Sequence, residues 1–363
     1  MSFANVNPRL RDLAPYVPGK PLPQLERELG ITDSVKLASN ENPRGPSDKV
    51  RACLQQAAED MNRYPDPSGF ELKKALSGFL NVDENQITLG NGSNDVLELI
   101  ARVAMEPGQE AIVDERCFVV YPLAISAAYG VQVTVSSKEW GHDLTAMLDA
   151  VTEKTRLIYI ANPNNPTGTW ITESEMVAFL DALPPSVWVV LDEAYFEYAA
   201  GRFEYPDGLE LTRKYPNLIV TRTFSKAYGL AALRIGYSIS NPEFADFLNR
   251  IRQPFNANSV ALLAAETALA DQDYIRESIQ LNETGMEFLS DRFNTLGLPF
   301  IPSLGNFISV ETGPNTAQLY EKLLRKGVIV RPIANYLMPN HLRVTVGTEE
   351  ENSRFIQALT ESL

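Results

Sequence analysis

Short apolar runs rich in β-branched residues recur through the middle of the chain: Ile87–Leu89, Ala111–Val113, Val131–Val135, Leu157–Ala161, Val187–Leu191, Leu218–Thr221 and Ile235–Ile239. Each has strand length and few polar interruptions, the pattern of strands buried on both faces. Between several of them the spacing becomes helical. Over Asn94–Met105 the residues Val96, Leu97, Leu99, Ile100, Val103 and Ala104 share one face, and Ser174–Leu183 repeats the pattern less cleanly. Strands alternating with helices predict an α/β fold, a mostly parallel sheet covered by helices on both faces.

The C-terminal third has a different texture. Helical stretches over 242–252, 259–270 and 316–326 precede strand-like Val328–Arg331 and Leu342–Val346 and a closing helix from Glu349. This predicts a smaller α+β domain, with Gly327 capping a helix whose last turn carries Arg325 and Lys326. The first 35 residues, with Pro8, Pro15, Pro18, Pro21 and Pro23, read as an extended arm that packs on the small domain or reaches a partner subunit. The expected organisation is an arm over 1–35, a large domain over 36–250 and a small domain over 251–363. No internal repeat or low-complexity tract is present.

Composition narrows the function classes. A chain of 363 residues with 44% hydrophobic content has enough material for two cores. Its 46 acidic and 32 basic residues give a net charge of −14, which argues against a broad footprint for nucleic acid or an anionic membrane. Bound phosphate must therefore be held locally. No signal pattern opens the chain, and no apolar run approaches the roughly 18 residues of a membrane span, so cytoplasm is the default. Cys53 and Cys117 are too few for a disulfide framework and belong to no metal-spaced set, so no metal is expected. The two histidines, His142 and His341, lie in no nucleophile motif, which disfavours Ser/His and Cys/His hydrolases.

Candidate chemistry gathers in four places. Lys226 stands alone between an apolar strand and a small-residue turn, followed by Arg234. A lysine becomes a useful nucleophile where its surroundings lower its pKa, and its commonest use is a Schiff base with a carbonyl. Gly90-Asn-Gly92-Ser93-Asn94-Asp follows a strand and opens a helix, whose free N–H groups and dipole suit a phosphate. The loop is neither GxGxxG nor a Walker lysine loop, so dinucleotide and nucleoside triphosphate readings lose support. Asn162-Pro-Asn-Asn165-Pro-Thr-Gly168 leaves a strand at the carboxyl edge of the sheet, where α/β folds place ligands. Asp192 ends a buried strand and needs a cationic or hydrogen-bonding partner there.

Together these motifs resemble the fold type I aminotransferases that use pyridoxal 5'-phosphate, and most closely the histidinol-phosphate aminotransferase family. The resemblance covers nearly the whole chain. It runs from Leu13-Ala-Pro-Tyr16 and Leu37-Ala-Ser-Asn40-Glu-Asn-Pro through Arg63-Tyr64-Pro-Asp and the motifs above to Leu342-Arg343-Val-Thr-Val-Gly. It implies a seven-stranded sheet in the large domain. Lys226 would carry the cofactor as a Schiff base and shuttle the substrate proton, and Asp192 would keep the pyridine nitrogen protonated so that the ring acts as an electron sink. Tyr195 and Asn165 would hydrogen-bond the ring oxygen, and Phe118 would stack on the ring.

By the same resemblance, Gly92, Ser93, Asn94, Thr223, Ser225 and Arg234 would hold the cofactor phosphate, joined by Tyr64 from the other subunit of a homodimer with shared active sites. Arg343 would clamp the substrate carboxylate beside Asn40. Tyr16 and Arg331 are candidates for the variable end of the substrate. The chain departs from better-known members where Phe118 replaces a tyrosine and where Ser93-Asn94 replaces Ala-Asp. The implied reaction is transamination between histidinol phosphate and 2-oxoglutarate, with a small-molecule amino donor and a 2-oxo acid as the partners. An aromatic amino acid aminotransferase and a phospho-amino-acid decarboxylase on the same scaffold remain alternatives.

Overall fold

The structure, a computed structural model, describes Leu13, residues 19–57 and residues 61–363; the candidate Tyr16 lies outside the described residues. A short first strand, β1 (Val35–Lys36), sits apart from the main sheet. The seven apolar runs become β2 (Ile87–Gly90), β3 (Glu110–Asp114), β4 (Val131–Val135), β5 (Thr155–Ala161), β6 (Trp188–Asp192), β7 (Leu218–Thr223) and β8 (Gly236–Ile239). They form one seven-stranded sheet in the order β2-β8-β7-β6-β5-β3-β4. The pairs from β7 across to β4 are parallel, and β8 runs antiparallel to both its neighbours.

Side-chain alternation along the central strands builds a core on each face. Leu157 and Tyr159 of β5, with Val190 of β6, pack against the helix Ser93–Ala104, whereas Ile158, Ile160, Val189 and Leu191 join the core on the opposite face. Each such side chain contributes on the order of 1.5–3 kcal/mol when fully buried. That double burial is why these strands read as unbroken apolar runs.

The remaining strands are β9 (Phe300–Ile301), β10 (Phe307–Glu311), β11 (Val328–Ile329), β12 (Arg331–Pro332) and β13 (His341–Thr345). Four of them form an antiparallel sheet in the order β12-β13-β10-β9, while β11 pairs in parallel with β1. The chain after β1 stays tied to this region: Leu37 N–H donates to Ile329 O at 2.7 Å and Leu37 O accepts from Thr345 N–H at 2.9 Å. This stitching sets residues 38–40 beside β13.

Among the differences from the sequence expectation, which also leaves the helices Asp48–Ala57 and Phe70–Leu80 unassigned, two are instructive. Leu22–Leu29 is a helix within the segment expected to be extended. Its prolines lie at the cap and in the first turn, where a missing N–H costs nothing, and Gly30 closes the helix at φ 70°. The second is the helix Gln272–Thr295, in a stretch the sequence expectation leaves unassigned. Its buried stripe is helical in spacing, but Ser278, Asn282 and Gly285 interrupt Tyr274, Ile275, Leu289 and Phe293. Distant groups meet the two polar side chains: Asn42 Nδ2 donates to Ser278 Oγ, and Asn282 Nδ2 donates to Gly305 O. No helix among the described residues is long and apolar enough to cross a membrane.

Candidate active site

The carboxyl ends of β5, β6 and β7 converge on one cavity, at the edge where parallel α/β sheets leave free backbone groups and loops. β5 delivers the asparagine loop, β6 ends in Asp192, and β7 ends in Thr223, just ahead of Ser225 and Lys226. Ten predicted residues line this cavity: Ser93, Asn94, Phe118, Asn165, Asp192, Tyr195, Thr223, Ser225, Lys226 and Arg234. Among the described residues, no group of three or more His, Cys, Asp or Glu is arranged to hold a metal ion.

Lys226 lies at the centre. Its Nζ donates to the carbonyl of Ser39 at 3.4 Å and sits 5.5 Å from the centroid of the Tyr195 ring. Burial lowers its pKa to about 8, and the cationic Arg343 and Arg234 add to that effect. A lysine so perturbed supplies neutral amine near physiological pH.

Asp192 is 4% exposed, yet both its oxygens are met. Tyr121 Oη donates to Oδ2 at 2.8 Å and Thr221 Oγ1 donates to Oδ1 at 2.9 Å. Burial raises its pKa, opposed by those two hydroxyls, the Ala194 N–H and the charge of Lys226. Tyr121 and Thr221 escaped the sequence reading. Thr221 faces Asp192 because β6 and β7 pair in parallel with those residues in register. Tyr121 follows Phe118 at one-turn spacing, a signal legible once Phe118 is placed at the site.

On the other side of the cavity, Asn40 Nδ2 donates to Tyr195 Oη at 2.8 Å, and Thr345 Oγ1 donates to Asn40 Oδ1 at 3.2 Å. Burial pushes the Tyr195 phenol up to about 12. Arg343 Nη1 donates to Asn165 Oδ1 at 2.6 Å and Nη2 to Ala38 O at 2.8 Å. The asparagine loop and β13 thus meet through a planar, multiply bonded guanidinium. Asn40 and Arg343 adjoin the cavity through Tyr195 and Asn165 rather than lining it.

An anion cradle closes the third side. The helix Ser93–Ala104 begins at Gly92 with no side chain capping its first N–H groups. Arg234 Nη1 donates to Ser225 Oγ at 3.2 Å and Ala231 O at 3.0 Å. Its guanidinium lies so close to Gly92 that a Cβ there would stand 2.3 Å from Nη2. An uncapped helix N-terminus, the hydroxyls of Ser93, Thr223 and Ser225 and a guanidinium around one hollow have the chemistry that suits a phosphate.

Two described candidates fall elsewhere. Tyr64 is 82% exposed and stacks on Phe255 with centroids 4.6 Å apart, outside the cavity of its own chain. Arg331 pairs in register opposite Arg343 on β12 and does not line the cavity. Tyr16 is not described.

A nucleophilic lysine, a buried strand-end carboxylate and an anion cradle on a mostly parallel sheet define an enzyme of the kind described as aminotransferase class I and II, whose family model matches residues 32–359. Histidinol-phosphate aminotransferase 2 of Pseudomonas fluorescens is 55% identical over 99% of this chain and 98% of its own. Histidinol-phosphate aminotransferase 2 of Pseudomonas aeruginosa is 53% identical over the same shares, 99% and 98%. The crystal structure of histidinol-phosphate aminotransferase from Sinorhizobium meliloti in complex with pyridoxal-5'-phosphate superposes with a TM-score of 0.89 at 32% identity, covering 99% of this chain and 98% of that one. The chain belongs to the histidinol-phosphate aminotransferase family.

Proposed function

We propose that the protein transfers the amino group of histidinol phosphate to 2-oxoglutarate, yielding imidazole-acetol phosphate and glutamate, with pyridoxal 5'-phosphate as cofactor. The observation that carries this reading is one cavity holding Lys226, Asp192 and the Gly92–Arg234 cradle, with Arg343 beside it. The cradle fits a phosphate, and Asp192 fits a protonated ring nitrogen. When bound, the cofactor supplies an electron sink for the bond broken at the substrate α-carbon.

The chain's own residues do the rest. Ser93, Asn94, Thr223, Ser225 and Arg234 hold the phosphate, and Phe118 covers the ring face. Asp192 holds the nitrogen in its cationic form, and Tyr195 and Asn165 orient the ring oxygen. Lys226 Nζ, whose lowered pKa of about 8 makes neutral amine accessible near neutral pH, accepts the proton of the substrate α-carbon. Arg343 presents a bidentate donor fork, suited to the carboxylate of glutamate and to the phosphate of histidinol phosphate alike. Its bonds to Asn165 and Ala38 fix that fork before substrate arrives.

The curated relatives favour histidinol phosphate over an aromatic amino acid as donor. Steady-state glutamate formation from histidinol phosphate and 2-oxoglutarate tests the reading, and absence of glutamate from a protein loaded with cofactor would end it. A homodimer with shared sites belongs to the same proposal. Tyr64, exposed and away from its own chain's cavity, is the residue offered to the partner's cradle. Mixing inactive Tyr64→Ala and Lys226→Ala proteins should then rebuild one intact site per mixed dimer. No recovery after subunit exchange would assign Tyr64 to its own chain.

A further inference from the structure

We infer that Tyr121 is a positioning residue for the pyridine nitrogen, acting through Asp192, with Thr221 as its counterpart on the other carboxylate oxygen. The inference rests on the cofactor reading above and concerns a layer of the site one residue deeper. Asp192 has a single carboxylate to offer the ring, and its geometry is set by what holds its two oxygens. Tyr121 Oη takes Oδ2 and Thr221 Oγ1 takes Oδ1, at 2.8 and 2.9 Å.

Neither donor has freedom to leave. Tyr121 is completely buried and lies parallel to Tyr159, with centroids 4.6 Å apart and planes within 8°. Tyr159 is anchored in turn by its own hydroxyl, which donates to Leu97 O at 2.8 Å in the helix that opens at the cradle. Phe118 touches Tyr121 edge-on at 5.9 Å. One stack therefore links the residue covering the ring, the residue holding the ring's counter-ion and the helix holding the phosphate.

The physical task is to keep a buried carboxylate ionised. Burial alone favours the neutral acid, which would present the ring nitrogen with no negative charge to stabilise its proton. Two hydroxyl donors favour the anion because they satisfy its lone pairs without water. The charged or titratable groups around Asp192 are Lys226, across the cavity, and the phenols of Tyr121, Tyr159 and Tyr195. Lys226 is mostly cationic only below about pH 8 and its amine would be taken up in holding the cofactor, so the hydroxyls are the permanent support.

The test compares natural cofactor with its analogue bearing carbon in place of the ring nitrogen. Tyr121→Phe keeps the stacked ring and removes only the hydroxyl. With natural cofactor, it should raise the rate of cofactor release from the intact enzyme about ten- to a hundredfold, the range for losing a hydrogen bond to a charged group. With the carbon analogue, variant and wild type should release at the same rate. The 15N resonance of labelled ring nitrogen should move from the protonated toward the unprotonated position in the variant. Equal losses with both cofactors, or an unmoved 15N resonance, would reduce Tyr121 to a packing role and overturn the inference. Thr221→Val must show the same cofactor-dependent pattern, and Thr221→Ser must restore it. If wild type itself released both cofactors alike, Asp192 would not contact the nitrogen, a failure of the cofactor reading rather than of Tyr121.

Discussion

A tight constraint in the site is at a residue without a side chain. Gly92 has φ 78° and ψ 164°, and a Cβ there would lie 2.3 Å from Arg234 Nη2 and 3.0 Å from its Cζ. Gly92→Ala therefore has two separable costs. Backbone strain in a glycine-only region is about 1–3 kcal/mol. At about 2 °C per kcal/mol for a chain longer than 150–250 residues, the apo protein should melt roughly 2–6 °C lower. The second cost falls on function. Nη2 must move by more than 1 Å to reach ordinary contact with the new methyl, which turns the guanidinium away from the cradle and strains the bonds of Nη1 to Ser225 Oγ and Ala231 O. Losing a charge-assisted contact to phosphate costs about 1.5–3 kcal/mol, or ten- to a hundredfold faster cofactor release. Gly108→Ala is the control: its φ is 88°, and a Cβ there meets nothing within 4 Å. It should lower the melting temperature to a similar extent and leave cofactor release unchanged. Thermal unfolding of apo protein and stopped-flow release into a trapping reagent measure the two costs. Cofactor release from Gly92→Ala at the wild-type rate, or equal acceleration in Gly108→Ala, would refute the cradle.

Other consequences are as direct. In apo protein, Lys226 should react with a small aldehyde at a rate that rises through a pKa of about 8, whereas a lysine at the ordinary 10.5 would show no inflection there. Because this pKa is lower folded than unfolded, the unfolded chain binds more protons between about pH 8 and 10.5, and Lys226 adds to stability as pH rises across that window. Lys226→Ala should remove that slope, together with the visible absorbance of lysine-bound cofactor. Arg343→Lys keeps the charge but cannot hold Asn165 Oδ1 and Ala38 O at once, so KM for 2-oxoglutarate should rise at least tenfold. An unchanged KM would place the carboxylate elsewhere.

The central strands of the main sheet were legible because burial on both faces leaves few polar positions, as in Leu157–Ala161 and Val187–Leu191, whereas the edge strand β4 shows itself by alternation, with Gln132 and Thr134 exposed. Lys226, Asp192, Asn165 and Arg234 were legible because each stands at a strand end or loop where its side chain has no structural reason to be. The helix Gln272–Thr295 was not, since Ser278, Asn282 and Gly285 face the interior and are compatible with it only through partners far along the chain. Gly285 is there because Val346 packs onto its Cα, where a Cβ would come within 2.4 Å. Tyr121 and Thr221 were hidden for a related reason. Their roles depend on the β6–β7 register and on the docking of the helix Val120–Ala127, which brings the Tyr121 hydroxyl to Asp192, facts of assembly rather than of local pattern.

The central claim is the identity of the amino donor. The most direct measurement mixes cofactor-loaded enzyme with one amino donor at a time, in a single turnover without 2-oxoglutarate, and follows the cofactor spectrum. Histidinol phosphate should convert the cofactor to its amine form fastest, with glutamate the other productive donor and phenylalanine and tyrosine far slower. Faster conversion by phenylalanine or tyrosine, or carbon dioxide release without a keto product, would contradict the account.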